Sequence, residues 1–168
     1  MTVVPLGIAP PGFRLPDRTY VGTVDLQVSD MERSLAYYEQ VLGLRTFSSS
    51  AETATLGPRG EGRALVSLNT KSGVTRARRG AFGLYHFAIL LPDRAALGRF
   101  AAHLAELGVR AGMADHLVSE ALYLTDPDGL GIEVYADRPR SAWQRHDREL
   151  AMTTDPLDIS SVIAAFSW

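Results

Sequence analysis

The feature of this sequence that most constrains its fold is a pattern that occurs twice. In the first half an alternating apolar–polar stretch, VGTVDLQV (21–28), precedes a helical stretch that the side chain of Ser29 or Asp30 can cap. In the second half LYHFAILL (84–91) precedes another helical stretch, and Asp93 falls opposite Asp30 at an offset of 63 residues. The repeat predicts two copies of one strand–helix unit rather than one continuous sheet.

The ends of the two helical stretches repeat as well, as LGLR at 42–45 and LGVR at 107–110. Three strand-like stretches, separated by glycine-rich turns, follow each helix. The predicted fold class is therefore α+β, with two tandem βαβββ units whose curved mixed sheets enclose a cavity. Helices 31–42 and 93–107 are expected on the outside of these sheets.

The repeat also predicts how the chain is divided. Residues 1–18 are rich in proline and predict an extended N-terminal arm. Residues 19–136 predict a single domain, with one βαβββ unit at 19–70 and the other at 83–136. Residues 137–168 predict a C-terminal tail with a short helix.

Composition excludes several classes of function. The 168 residues carry a net charge of −2, which offers no basic surface to nucleic acid, and no apolar run reaches the length of a membrane span. Cysteine is absent, which excludes disulfides and cysteine-based sites and fits a cytoplasmic protein. We expect a small molecule as the ligand or substrate, with a homodimer as a candidate assembly.

The second unit places polar residues where a sheet needs only apolar ones. His86, Tyr123 and Glu133 each lie between apolar neighbours that can face the helix. Because successive side chains of a strand point to opposite faces, these three are expected on one common surface. His116 precedes Tyr123 by seven residues, an odd separation, so a bulge or turn near Ser119–Glu120 would be needed to bring it to the same surface.

An imidazole and a carboxylate on adjacent strands suit a divalent first-row metal. The full non-haem iron set uses two histidines and one carboxylate, of which His86 and Glu133 supply two members. In the alternative interpretation, His86 is a hydrogen-bonded core histidine and Glu133 pairs with an arginine.

Three other polar features have simple structural interpretations. TDPDG (125–129) is typical of a tight turn. His103 lies on a predicted helix and His146 in the charged tail, and both are expected to be solvated.

The stretch from His116 through LYLTDPDGLGIE resembles the extradiol dioxygenase motif: a histidine, a short spacer, an apolar residue with tyrosine, an acidic–Pro–x–Gly run and a glutamate. Together with the paired units, it resembles the vicinal oxygen chelate superfamily, which includes glyoxalase I, fosfomycin- and bleomycin-resistance proteins and extradiol ring-cleaving dioxygenases. YHFAILLPD and EVYADRPRSAW resemble the N-terminal half of bacterial catechol-2,3-dioxygenase-like proteins. Ala114 departs from the usual first residue of the motif.

The resemblance implies a role for each residue of the predicted surface. His86 and Glu133 would bind the metal, Tyr123 would hydrogen-bond a substrate oxygen, and His116 would lie near bound substrate. The remaining metal ligand would fall at Thr23, where the family pattern HVxLxV has become TVDLQV, with Asp25 on the same strand face as a substitute. Fe(II) is the expected cofactor, with Mn, Zn or Ni as other choices, and the missing histidine predicts a weak or empty site.

These observations favour a metal-dependent, extradiol-type dioxygenase-like oxidoreductase that acts on a small aromatic diol. A binding module that sequesters a small aromatic ligand without chemistry remains the first alternative. A half-molecule with a degenerate metal site remains the second.

Overall fold

The computed structural model describes residues 12, 14–60, 62–78, 80, 82–147 and 149–166. Most of the predicted N-terminal arm, 1–18, lies outside these residues. Its described part from residue 14 onward contains no helix or strand and ends in a turn.

The first unit contains four strands and one helix. In chain order they are β1 (Val24–Gln27), α1 (Met31–Gln40), β2 (Arg45–Ser49), β3 (Thr53–Gly57) and β4 (Val66–Asn69). The sheet order is β1-β4-β3-β2. The first and last strands of the unit pair in parallel, while the other pairs are antiparallel, so the sheet is mixed.

The second unit repeats this arrangement strand for strand. Its elements are β5 (His86–Leu90), α2 (Arg94–Glu106), β6 (Gly112–Asp115), β7 (Ser119–Thr125) and β8 (Gly131–Asp137). The sheet order is β5-β8-β7-β6, again with one parallel pair, β5 with β8. The predicted α+β fold of two tandem βαβββ units is therefore confirmed.

The predicted caps explain where the helices begin and end. The carboxylates of Asp30 and Asp93 each accept a hydrogen bond from the backbone N–H three residues later, which satisfies a donor that the first turn leaves unpaired. Gly43 and Gly108 follow the helices with φ of 70° and 66°, the left-handed conformation that glycine adopts most easily.

The helices pack on one face of each sheet, and the two units share one hydrophobic core. Its fully buried members from both units include Tyr38, Leu56, Leu68, Leu97, Leu122 and Ile132. Along β5, Phe87 is buried on the helix side while His86 and Ala88 are exposed on the other. The core thus covers one sheet face and leaves the opposite face for polar side chains.

The C-terminal tail folds against the second unit. It contains a short 3-10 turn (Arg140–Ala142), a hairpin of β9 (Arg145–His146) and β10 (Glu149–Leu150), and the helix α3 (Ile159–Ala164). Val162 on α3 is fully buried against α2, where Gly98 allows the close approach. Helices of the described part are all too short or too polar to cross a lipid bilayer.

Two cavities are lined by residues other than those of the polar face of the second sheet. The first, of about 1010 Å³, lies between the end of α1 and α2 and is lined by residues that include Arg45, Phe100 and His103. Its His103 differs from the prediction of a solvated side chain, since it is half-buried and its Nε2 lies 2.8 Å from the Gln40 carbonyl oxygen. The second, of about 680 Å³, lies beside Phe47.

Candidate functional site

The candidate site is built on three adjacent strands of the second sheet. Because β8 lies between β5 and β7, Glu133 has β5 on one side and Tyr123 directly opposite it on the other. His86 lies two positions along β5 from Ala88, the partner of Glu133, and so shares its face. Strand alternation thus buries the apolar neighbours on one face of the sheet and places His86, Tyr123 and Glu133 together on the other.

Glu133 is the central group of this surface. Its Oε2 lies 3.5 Å from Nε2 of His86, and its Oε1 accepts a hydrogen bond of 3.1 Å from the Tyr123 hydroxyl. In the described part of the chain, these partners take the place of the arginine considered as an alternative. The His86 side chain is 39% exposed, so it is not a core histidine, whereas Glu133 is only 16% exposed.

His116 reaches the same surface from a hairpin turn rather than from a strand. The turn lies at 116–118, between paired Asp115 and Glu120, and not at the predicted Ser119–Glu120. Strict alternation therefore does not apply to His116, because it precedes β7. Its Nε2 lies 2.7 Å from the Tyr123 hydroxyl, and its Nδ1 lies 2.7 Å from the Thr153 carbonyl oxygen.

The electrostatics of the surface keep Tyr123 neutral. Burial, followed by the charge and hydrogen bond of Glu133, raises the pKa of Tyr123 to about 12. Burial, with the charges of Asp137 and Glu133, also raises the pKa of Tyr135, which lies next along this face of β8. Both phenols therefore remain hydrogen-bond donors over the physiological range.

The two residues considered for a third metal position lie on β1 or at its start in the first unit. The hydroxyl of Thr23 donates a hydrogen bond of 3.0 Å to the Ala64 carbonyl, which joins the residue before β1 to the segment that leads into β4. Asp25 is exposed and pairs with Ser67 across the sheet. Among the described residues, no group of three or more His, Asp or Glu side chains could together hold a metal ion.

Two residues of this region were missed by sequence reasoning. Gly131 is the strand partner of His86, and a Cβ there would lie 2.9 Å from the His86 Cβ and 3.0 Å from the Tyr85 carbonyl oxygen. The glycine is therefore needed for His86 to lie where it does, and a glycine inside a strand was the available signal. Thr153 contributes only its backbone carbonyl, for which the sequence carries no signal.

The TDPDG stretch forms a turn, as expected, and also links the two units. Asp126 is buried and accepts hydrogen bonds from the backbone N–H groups of the turn and from the Tyr38 hydroxyl on α1. Asp128 accepts from Ser29 and lies 2.6 Å from the Arg33 guanidinium. The turn that follows the Tyr123 strand is thereby fixed to the first helix.

Comparison with known proteins agrees with this architecture. Residues 20–134 match the model of the Glyoxalase/Bleomycin resistance protein/Dioxygenase superfamily. A catechol-2,3-dioxygenase of Bacillus subtilis (strain 168) is 48% identical over 147 residues, which are 86% of this chain and 51% of the relative. The chain thus spans about half the length of that curated relative.

Solved structures share the fold at low sequence identity. A glyoxylase/bleomycin resistance protein/dioxygenase domain from Frankia sp. EAN1pec superposes with a TM-score of 0.61 at 19% identity, covering 73% of this chain and 94% of that one. A glyoxalase/dioxygenase from Nostoc punctiforme gives a TM-score of 0.58 at 21% identity, covering 78% and 100%. On the evidence of the family match, the near-half identity and the repeated βαβββ units, the chain belongs to the glyoxalase/bleomycin resistance protein/dioxygenase superfamily.

Proposed function

We propose that this chain is an extradiol-dioxygenase-like domain that binds a small aromatic diol on the polar face of its second sheet. The observation that carries the proposal is the unbroken series of contacts from His116 through Tyr123 and Glu133 to His86. The imidazole, phenol and carboxylate groups lie side by side and offer both hydrogen-bond donors and acceptors to the two neighbouring hydroxyls of a diol. The 48% identity to a catechol-2,3-dioxygenase supports the choice of diol.

In this proposal each side chain acts on the diol in a defined way. Tyr123 stays protonated, so on ligand binding its single hydroxyl proton can be donated to one ligand oxygen instead of to Glu133, while His116 remains within hydrogen-bond distance of the same hydroxyl. When no metal ion is bound, Glu133 accepts a hydrogen bond from the other hydroxyl, and the exposed His86 approaches the same oxygen from β5. Orienting the two hydroxyls toward fixed partners would account for selection of a vicinal diol over a simple phenol.

Two side chains of the site, those of His86 and Glu133, are spaced so that both could bind one divalent ion. Two ligand atoms that are each about 2.1 Å from one ion lie roughly 3–3.5 Å apart, and Nε2 of His86 and Oε2 of Glu133 are separated by 3.5 Å. Fe(II) suits this pair, and Mn, Zn or Ni would also accept it. When bound, such an ion would lower the pKa of a coordinated hydroxyl.

The third protein ligand of a full facial set is not supplied within the described part of the chain, because the Thr23 hydroxyl is bonded to a backbone carbonyl. We therefore expect weak metal binding, with water or Asp25 in the remaining positions. Ring cleavage by this chain is expected to be slow or undetectable as purified.

A second candidate function is non-catalytic binding of the same ligand. It is favoured by a site that offers only two metal-binding side chains in the described part of the chain. Oxygen uptake with catechol at saturating Fe(II) separates the two candidates, since the metal-loaded enzyme consumes oxygen and the binding module does not.

The test of the binding site is a catechol titration followed by amide chemical shifts. We expect saturable shifts at His86, His116 and Glu133, weakened in Tyr123→Phe, which keeps the ring and removes only the hydroxyl. Phenol, with one hydroxyl, should bind more weakly. Shifts confined to residues around the Phe100 cavity would contradict the proposal.

A further inference from the structure

We propose that the Asp115–Arg138 ion pair and the tail residues 153–155 together form a positioning clamp for His116. The clamp fixes the turn that carries His116 and selects the ring nitrogen that faces Tyr123. Its geometry stands on contacts within this chain, while its effect on ligand chemistry rests on the function proposed above.

The first part of the clamp is a two-point ion pair. The Arg138 guanidinium contacts both carboxylate oxygens of Asp115, at 2.6 and 2.7 Å. The same carboxylate accepts a hydrogen bond of 2.8 Å from the backbone N–H of Leu117. Leu117 has a φ of 65°, a left-handed conformation that a leucine adopts only when its surroundings enforce it. Asp115 thus connects Arg138 to the unusual residue directly after His116.

The second part of the clamp comes from the tail. Asp115 and Asp155 exchange two backbone hydrogen bonds of 2.9 Å, which lay the tail beside the end of β6. The single proton of the Thr153 hydroxyl can be donated to Asp155, at 2.8 Å, or to the more distant Asp115 carbonyl, at 3.3 Å. These bonds bring the Thr153 carbonyl to Nδ1 of His116.

This carbonyl decides the tautomer of the ring. A carbonyl oxygen can only accept, so Nδ1 of His116 must carry a proton. In the neutral ring Nε2 then presents its lone pair to the Tyr123 hydroxyl, 2.7 Å away. The single hydroxyl proton of Tyr123 can go either to His116 or to Glu133, so the clamp makes His116 an acceptor that competes with Glu133 for it. Arg138 and Asp115 are therefore positioning residues that act through His116.

The cluster around Glu120 provides a matched control. Glu120 is 4% exposed and is contacted by two guanidiniums, those of Arg94 and Arg138. Replacing either arginine removes one cation from the same buried carboxylate. Arg94 also donates to Ser161 on α3, whereas only Arg138 contacts Asp115. Arg94→Gln and Arg138→Gln should therefore both cost stability and differ in their effect on His116.

The experiment reads the tautomer of His116 from long-range proton–nitrogen NMR correlations at about pH 9, above the ordinary range of histidine titration. This measurement needs neither metal nor turnover, so its result can be interpreted even if the proposed function is wrong. We expect wild-type protein and Arg94→Gln to show the proton on Nδ1 alone. Arg138→Gln and the milder Asp115→Asn should show both tautomers in exchange.

Three outcomes would overturn the clamp. The first is a wild-type neutral ring protonated on Nε2, a result that requires no variant to fold. The second is an unchanged tautomer in both Arg138→Gln and Asp115→Asn. The third is an equal change of tautomer in Arg94→Gln.

Discussion

The hydroxyl of Tyr123 connects the two ends of the site, because it lies 2.7 Å from Nε2 of His116 and 3.1 Å from Oε1 of Glu133. Removal from water and the nearby carboxylate both favour the neutral phenol, which keeps it available as a donor. The behaviour of this one group therefore reports on the site as a whole.

Replacing Glu133 by Gln should lower the pKa of Tyr123 from about 12 toward its ordinary value of 10, though not fully, since burial remains the larger cause. A raised pKa means that the folded state holds the proton more tightly than the unfolded state. The contribution of Tyr123 to the free energy of unfolding is present below pH 10 and is lost as pH rises toward 12. In Glu133→Gln the pH range over which this contribution is lost should be narrower. Tyrosinate absorbance, with Tyr123→Phe to identify the relevant step, measures the shift. An unmoved midpoint would argue against the contact.

Thr23→His should raise the affinity for Fe(II), because it adds an imidazole at the position where the family pattern carries one. An anaerobic Fe(II) titration of both proteins, followed by oxygen uptake with catechol, is the measurement. No gain in affinity would show that position 23 does not face the site. Tight iron and fast turnover in unmodified protein would show that another residue replaces the histidine.

The shared surface of three site residues was predictable from the sequence, because strand alternation is a local rule. His86, Tyr123 and Glu133 each follow from the period of two within one strand. His116 does not, because its direction depends on the left-handed conformation of Leu117 and on Arg138, neither of which shows in the local pattern.

At the scale of elements, two of the site residues each have a glycine as partner on the neighbouring strand. Gly131 lies beside His86 on β8, and Gly112 lies opposite Tyr123 on β6. The two glycines differ in the space around them. A Cβ at Gly112 would make ordinary contact, at 3.4 Å from the Tyr123 Cβ, whereas one at Gly131 would be too close to His86.

Gly131→Ala should therefore displace His86 and weaken catechol and metal binding, by about tenfold or more if His86 is a ligand. Gly112→Ala is the matched control and should bind like wild type. The measurement is a comparison of the catechol and metal affinities of the two variants, taken from binding isotherms. Equal affinities for both would show that the spacing of β5 and β8 is not important for the site.

Helix ends were also predictable at this scale, because each Asp cap and each following glycine lies close in sequence to the helix end that it marks. The path of the C-terminal tail was not predictable from the sequence. Its helix α3 packs on α2 through Val162 and Gly98, and Gly98 reads in the sequence only as a poor helix former.

At the scale of the whole molecule, the two units form one body. Tyr38 on α1 bonds to Asp126, 88 residues away, and Ser29 bonds to Asp128, 99 residues away. The internal repeat predicted the two units but not these contacts, which join residues that differ between the copies. The turn after β7 is thereby held from the first unit, and with it one end of the site.

The proposed function depends most on the binding of one divalent ion between His86 and Glu133. The direct test is an anaerobic Fe(II) titration of wild-type protein, Glu133→Gln and Asp137→Asn. Asp137 is an exposed carboxylate at the end of the same strand and serves as the control.

We predict a single weak site in wild type and in Asp137→Asn. Glu133→Gln should lose more affinity than the ~10–100-fold typical of groups that only support a ligand, because a coordinating charge is removed. Equal Fe(II) affinity in wild type and Glu133→Gln would contradict the proposal.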